Sequence, residues 1–292
     1  MATDKAAGKK SKGNHIYNRM MVNLYYLEVI RGLVKNWPDV VMFRLGLKRK
    51  LDINFRNGGT IKINGHMRFR AYDHDLLFTY SNPTQALHTM GLIRYDILEG
   101  QYQLLDVKGR EVVDIGAYVG DTAICFAMRG ARHVYAFEPY PFSYNTAMKN
   151  VELNKLGDRV TLINKACSDK GGHFVLDANF LNAPSSGIRE VPNGTRIEIT
   201  TLDRIVKDLK LGSNAVLKVD CEGYEYKVLL GAKRETLRRF GQIIAEYHYG
   251  YEPLVQKLKE AGFKVTYTKP RHTKNWDVEN HDMQVGIIYA RK

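Results

Sequence analysis

From Arg110 onward, short apolar runs alternate with amphipathic stretches, and this alternation constrains the fold more than any other feature of the chain. Strands are expected at 112–115, 134–138, 160–163, 215–220, 242–247, 263–267 and 285–290, and helices at 121–128, 142–156, 203–209, 224–240 and 253–261. Strands and helices in turn build a parallel, doubly wound α/β sheet. Only residues 269–282 join the last two strands, with no helical pattern between them. Joined that way they pair antiparallel, so the sheet is of mixed direction.

Ahead of this region the pattern is different. Residues 1–15 read as a disordered basic tail, too poor in apolar surface to offset the entropy of ordering. Ile16, Met20, Leu24, Leu27, Ile30 and Val34 have helical spacing, and Pro38 breaks it and starts a second short helix, 39–47. Leu51, Ile53 and Phe55 alternate, Asn57-Gly58-Gly59 turns, and Ile61 and Ile63 alternate again, which signals a β-hairpin. The expected organisation is a tail (1–15), an accessory α+β region (16–105) and a catalytic domain (106–292), a division that 292 residues can support.

The strand Val112-Val113-Asp114-Ile115 ends in a Gly116-Ala117-Tyr118-Val119-Gly120 turn, and Asp121 opens the next helix. Ligands of such sheets bind beyond the carboxyl ends of the strands, where glycines let backbone amides approach them. Glu138 closes the following strand, and an acid about 20 positions along such a motif takes ribose hydroxyls. The loop is not the dinucleotide fingerprint G-x-G-x-x-G, because only Gly116 and Gly120 are present. S-adenosylmethionine suits it better: the cofactor carries an ammonium for Asp114, a carboxylate for the loop amides and a ribose for Glu138. The expected cofactor site comprises Asp114, Gly116, Ala117, Tyr118, Gly120, Asp121, Glu138, Pro139, Tyr140, Ala166, Cys167 and Asp220. Tyr140 lies against adenine or ribose, or is simply loop, and 164–169 border the adenine edge.

These residues resemble the FkbM family of methyltransferases. The matching stretches are Val113-Asp-Ile-Gly-Ala-Tyr-Val-Gly-Asp121, Tyr135-Ala-Phe-Glu-Pro-Tyr-Pro141, Asn150-Val-Glu-Leu-Asn154, Thr201-Leu-Asp203, Leu217-Lys-Val-Asp-Cys-Glu-Gly-Tyr-Glu225 and Ile243-Ile-Ala-Glu-Tyr-His248. The run Glu246-Tyr-His-Tyr-Gly250, with Gly262-Phe263 after it, is similar to the archaeal branch. The resemblance implies a class I methyltransferase, a Rossmann-like sheet of seven strands with the last antiparallel. It also implies methyl transfer to an oxygen, often a hydroxyl of a sugar or other small molecule.

A hydroxyl needs a base or a metal to take its proton. Asp220, Glu222, Glu246 and His248 fall at or just past the ends of neighbouring strands, on the same edge as the cofactor loop, and are the expected catalytic group. Glu222 either handles the acceptor or caps the helix that follows, and His248 is either a base or a hydrogen-bonded loop residue. A full metal-ligand set is not visible in the spacing, and none is assigned. Residues 171–200 read as an insertion with its tip at 182–187, flanked by Arg189 and Arg196. His272, Lys274, Trp276 and His281 lie in the last connection, and either loop offers a wall for the acceptor.

The formal charge of +13 favours acidic partners and keeps an RNA (tRNA) methyltransferase as the alternative to a small-molecule or glycan enzyme. Lys5, Lys9, Lys10, Lys12 and Lys48-Arg49-Lys50 hold part of that excess, and no RNA-binding module accompanies them. A cofactor-binding scaffold without catalysis would be favoured by a missing cofactor acid, yet Asp114 and Glu138 are both present. Three cysteines without CxxC spacing point to reduced thiols in the cytoplasm. The sequence contains no run of about 18 apolar residues and no signal-peptide pattern at its start.

Overall fold

The computed structural model describes residues 30–56, 58–98, 100–176, 194–274 and 282–292. The basic tail, most of the 16–34 helix, the 182–187 tip, Arg189, Trp276 and His281 lie outside the described residues.

Helix α1 (Trp37–Arg44) starts with Pro38 in its first turn and is shorter at its end than the expected 39–47. A four-stranded antiparallel meander follows: β1 (Leu51–Asn54), β2 (Thr60–Asn64), β3 (His66–Ala71) and β4 (His74–Phe78). The expected hairpin is its first half. Helix α2 (Pro83–Leu92) is capped by Asn82, whose side chain accepts from the Gln85 amide.

The catalytic sheet comprises β5 (Glu111–Ile115), β6 (His133–Phe137), β7 (Val160–Ile163), β11 (Ala215–Val219), β12 (Phe240–Tyr247), β13 (Lys264–Tyr267) and β15 (Asp282–Arg291). Its order is β13-β15-β12-β11-β5-β6-β7, and β15 runs antiparallel to both β12 and β13. These seven strands form the mixed sheet expected, an eighth short strand (Arg271–Lys274) also pairs with β15, and the chain reverses direction across the sheet between β5 and β11. Ligands of doubly wound sheets bind at this switch point.

Helices α3 (Asp121–Met128), α4 (Pro141–Leu153), α5 (Leu202–Asp208), α6 (Glu225–Gly231), α7 (Arg234–Leu237) and α8 (Glu252–Glu260) cover the sheet. Adjacent residues of a strand face opposite sides, so each buried strand feeds two cores. Val112, Val134, Val216 and Ile244 pack on one side, in a cluster that also takes in Ile53, Ile63, Phe69 and Phe78 of the meander. Val113, Leu217, Ile243 and Ala245 join the other. The accessory region therefore shares a continuous core with the catalytic sheet. Asn150 of α4 and Asn154 just past its end seal the join: Asn150 Oδ1 accepts from the Thr79 amide (2.7 Å), and Asn154 exchanges hydrogen bonds with both backbone groups of Leu77.

Two local readings need correction. The helix expected over 224–240 is two helices, because the backbone is extended at Ala232 and Lys233, and Asp203 Oδ1 takes the Lys233 amide. The expected loop 171–200 begins and ends in strands: β9 (Gly172–Leu176) and β10 (Thr195–Thr201) form a three-stranded sheet with β8 (Ala166–Ser168). His272 and Lys274 belong to β14 (Arg271–Lys274), which pairs with β15.

Candidate functional site

The loop after β5 is shaped by close backbone approach. Gly116 has φ +85°, and a Cβ there would lie 1.7 Å from the Asp220 carbonyl oxygen, so no side chain fits. The Gly116 and Ala117 amides both donate to the Phe137 carbonyl, tying the loop to the end of β6. Tyr118 is held at φ +44°, a costly conformation for a residue with a side chain, and its amide donates to Glu138 Oε2 at 2.8 Å. The Tyr140 amide donates to Glu138 Oε1 at 2.8 Å. Burial pushes the Glu138 carboxyl up to about 8, against these two amides. Asn164, at the end of β7, donates to the carbonyls of Glu138 and Pro139 and completes the frame.

A cavity of about 560 Å³ opens over this loop. Of the expected cofactor residues, Gly116, Tyr118, Asp121, Glu138, Pro139, Tyr140, Ala166, Cys167 and Asp220 line it. Asp114, Ala117 and Gly120 stand behind the wall instead. Asp114 is 0% exposed, accepts from Thr122 Oγ1 (2.6 Å) through Oδ2, and has Lys218 Nζ 3.1 Å from Oδ1. Lys218 in turn donates to the Gly116 carbonyl at 2.7 Å. The acid at the strand tip thus anchors a buried lysine that braces the loop.

Asp220, Cys221, Glu222 and Tyr224 continue the cavity wall beyond β11. Tyr102 donates to Asp220 Oδ2 at 3.1 Å. Glu222 sits at φ +53°, a second strained position in the wall. It does not cap α6. No side chain caps that helix; Glu225 Oε1 instead accepts from the Cys221 and Gly223 amides of the turn before it. Glu246 and His248 do not line the cavity but stand behind Asp220 and Glu222, with His248 Nε2 3.4 Å from Glu222 Oε2 and Nδ1 3.2 Å from Glu225 Oε1.

The charges of this cluster shape one another. Enclosure, together with Asp220 and Glu225, pushes Glu222 up to about 7 against the pull of His248. Burial and Asp220 raise Glu246 to about 8. Burial opposes a charge on His248, but Glu225 and Glu222 outweigh it and hold the ring at about 10, so it keeps its proton at neutral pH. The group closest to titrating near neutrality on the cavity wall is Glu222 and not His248. Cys221 is raised well above its usual value by burial, which leaves it a poor nucleophile.

Several wall residues were not expected. Asn82, Gln85 and His88 reach the cavity from α2, so the accessory region supplies one side of it. Burial pushes His88 down to about 4, leaving a neutral ring that meets Tyr118 edge-on at 5.6 Å. Lys165 and Lys218 also line the cavity. Lys218 had a signal in the sequence, a lone cation within the apolar strand Ala-Val-Leu-Lys-Val; α2 had none that tied it to this edge.

The chain is 26% identical over 70% of its length to the tRNA(Phe) (4-demethylwyosine(37)-C(7)) aminocarboxypropyltransferase of Pyrococcus horikoshii, covering 71% of that protein. It is 28% identical over 53% of its length to the hexuronic acid methyltransferase AglP of Haloferax volcanii, covering 64% of that protein. The crystal structure of M. jannaschii TYW2 in complex with AdoMet superposes with a TM-score of 0.43 at 16% identity, over 84% of this chain and 94% of that one. The methyltransferase FkbM domain matches residues 114–265, from the acid at the tip of β5 to β13 and just over half of the chain. The chain belongs to that family and is an S-adenosylmethionine-dependent methyltransferase.

Proposed function

We propose that the protein methylates a hydroxyl of a sugar, glycan or other uncharged small molecule, with Glu222 as the base. In this reading the cofactor's ribose lies at Glu138 and its adenine between Tyr140 and Ala166-Cys167. Its amino-acid end meets the 116–118 loop, with Asp121 offered to the ammonium. Asp114 serves the same end indirectly, through Lys218. The methyl group arrives already activated on sulfur, so the protein's task is alignment and removal of one proton.

The observation that carries the reading is Glu222 itself: on the cavity wall, in a strained backbone conformation, with a carboxyl pushed up to about 7. A base is most effective when its pKa lies near the working pH. The neighbouring Asp220, Glu225 and Glu246 make this edge acidic, which disfavours an anionic acceptor such as a carboxylate or a phosphate-rich strand. AglP of Haloferax volcanii, a hexuronic acid methyltransferase, supports a sugar-type acceptor, while the uncharged character proposed here rests on the acidic edge alone. The formal charge of +13 and the tRNA-modifying relative from Pyrococcus horikoshii favour the second reading, a tRNA acceptor. A cytoplasmic location accompanies the first reading. Cys125, Cys167 and Cys221 form no disulfide, and no helix among the described residues is long and apolar enough to cross a membrane.

Turnover of a confirmed acceptor by wild type and Glu222→Gln, between pH 6 and 9, tests the assignment. Wild-type turnover should rise through about pH 7, and the variant should lose that limb and about 10²–10⁴-fold in rate at unchanged cofactor affinity. An unchanged rate and profile would remove Glu222 as the base.

A further inference from the structure

Asp220, Glu246 and His248 each offer one donor atom to a common space, and these atoms lie within 4.8 Å of one another, the only such group of three among the described residues. Three features separate it from an ordinary acidic patch. His248 is only 4% exposed, yet its Nε2 meets Glu222 only at 3.4 Å, long for a hydrogen bond. Its Nδ1 side is backed by Glu225, which is itself fully buried and pinned by two backbone amides. A carboxylate behind a histidine is the support that metal-ligating imidazoles carry, fixing ring orientation and tautomer. The Glu246 side chain makes no hydrogen bond and no ion pair within 4 Å among the described residues; Asp220, Glu222 and Glu225 press on it and His248 draws on it from farther off. Tyr102 occupies Asp220 Oδ2 and leaves Oδ1 for another partner.

We propose that Asp220, Glu246 and His248 bind one divalent cation of the Mn²⁺ or Mg²⁺ class beside the acceptor. Two carboxylate oxygens and one imidazole nitrogen suit such an ion, with Mn²⁺ favoured over Mg²⁺ by the nitrogen, and the ion displaces to solvent the proton that the His248 ring holds without it. Donors around an octahedral ion with bonds of about 2.1 Å stand roughly 3–4 Å apart. Small side-chain rotations therefore close the cluster onto it. The ion adds positive charge to this group of carboxyls, in place of the His248 proton and alongside Lys218, next to the wall formed by Asp220 and Glu222. Its chemical part rests on the acceptor edge proposed above. A cation there makes the acceptor hydroxyl easier to deprotonate, and Glu222 takes the proton. The acceptor oxygen then forms its bond to the methyl carbon as the carbon–sulfur bond breaks, and the electron pair stays on sulfur.

The test reads metal binding directly, without an acceptor. Full-length protein treated with chelator and exchanged into metal-free buffer is titrated with Mn²⁺, and the signal of the free ion is followed by electron paramagnetic resonance. The expected result is one ion per chain, displaced by excess Mg²⁺, with at least tenfold weaker binding in Glu246→Gln and in His248→Ala. Calorimetric affinity for S-adenosylmethionine should stay within about twofold of wild type in both variants, since neither residue lines the cavity. If either variant lacks a cooperative melt, Asp220→Asn replaces it and should show the same loss of Mn²⁺. Absence of stoichiometric binding to the wild type at millimolar Mn²⁺ overturns the proposal, as does binding that survives the substitutions. Failure of Glu222→Gln to alter turnover would instead strike at the acceptor reading and leave the ion site standing.

Discussion

Two carboxylates in the cofactor region have separable roles. Glu138 lines the cavity, while Asp114 lies behind it with Thr122 and Lys218. Glu138→Ala should therefore weaken S-adenosylmethionine binding about tenfold or more and, because it frees the Tyr118 and Tyr140 amides, also lower the melting temperature by a few degrees. Asp114→Asn should act chiefly on stability. It strands a buried lysine, a loss of about 3–5 kcal/mol, and lowers the melting temperature well before affinity suffers. Calorimetry and thermal denaturation on the same two variants check both halves. The sequence made both acids visible, since each ends a strand at the right edge. It did not show which one faces the ligand, because that depends on Lys218, a residue of a different strand whose side chain crosses to the loop. In the same way the Asp220-Cys221-Glu222-Gly223 motif left two roles open for Glu222; no side chain caps the helix that follows, and the acceptor role is the one proposed for it.

At the scale of elements, the strands of the catalytic sheet were legible because β5, β11 and β12 are buried on both faces and so read as continuous apolar runs. Even the reversal of β15 followed from the missing crossover helix. The strands β3, β4, β8, β9 and β10 were not legible. Of these, β3, β4 and β10 are interleaved with charged residues, β8 is only three residues long, and β8 and β9 pair with β10 across the segment 177–194. The α2 wall was missed for a related reason: its place over the cavity depends on the meander docking against α4. Asn150 is central to that docking, taking the Thr79 amide and donating to the Val119 carbonyl at 2.8 Å. Asn150→Ala leaves both groups buried without a partner, at about 1–3 kcal/mol each. The expected outcome is a melting temperature lower by several degrees, together with weaker cofactor binding, because Val119 belongs to the loop. A melt and an affinity indistinguishable from wild type would show that the accessory region docks without it.

Across the whole molecule, Glu138, Glu222 and Glu246 are all raised above the ordinary carboxyl range, and His248 is raised above that of histidine. The cofactor-free folded state therefore binds more protons than the unfolded chain from about pH 4.5 up to about pH 10. Stability must fall as pH rises through this window, since each of these groups contributes fully only below its unfolded value. The melting temperature should drop steadily between pH 6 and 9, and Glu246→Gln should flatten part of the slope; a pH-independent melt would contradict the buried charge pattern. The acidity of this edge against a chain of formal charge +13 is also what separates the two acceptor readings. The decisive measurement is transfer from S-adenosylmethionine labelled on the methyl carbon or, separately, on the aminocarboxypropyl carbons. Purified full-length protein is given a panel of neutral glycosides, nucleotide sugars, polyprenyl-linked sugars, uronates and tRNA. The expected result is methyl label on a hydroxyl of an uncharged sugar, with no label from the aminocarboxypropyl carbons on any acceptor. Label appearing on tRNA, and above all aminocarboxypropyl label there, with the sugars left blank, would contradict it.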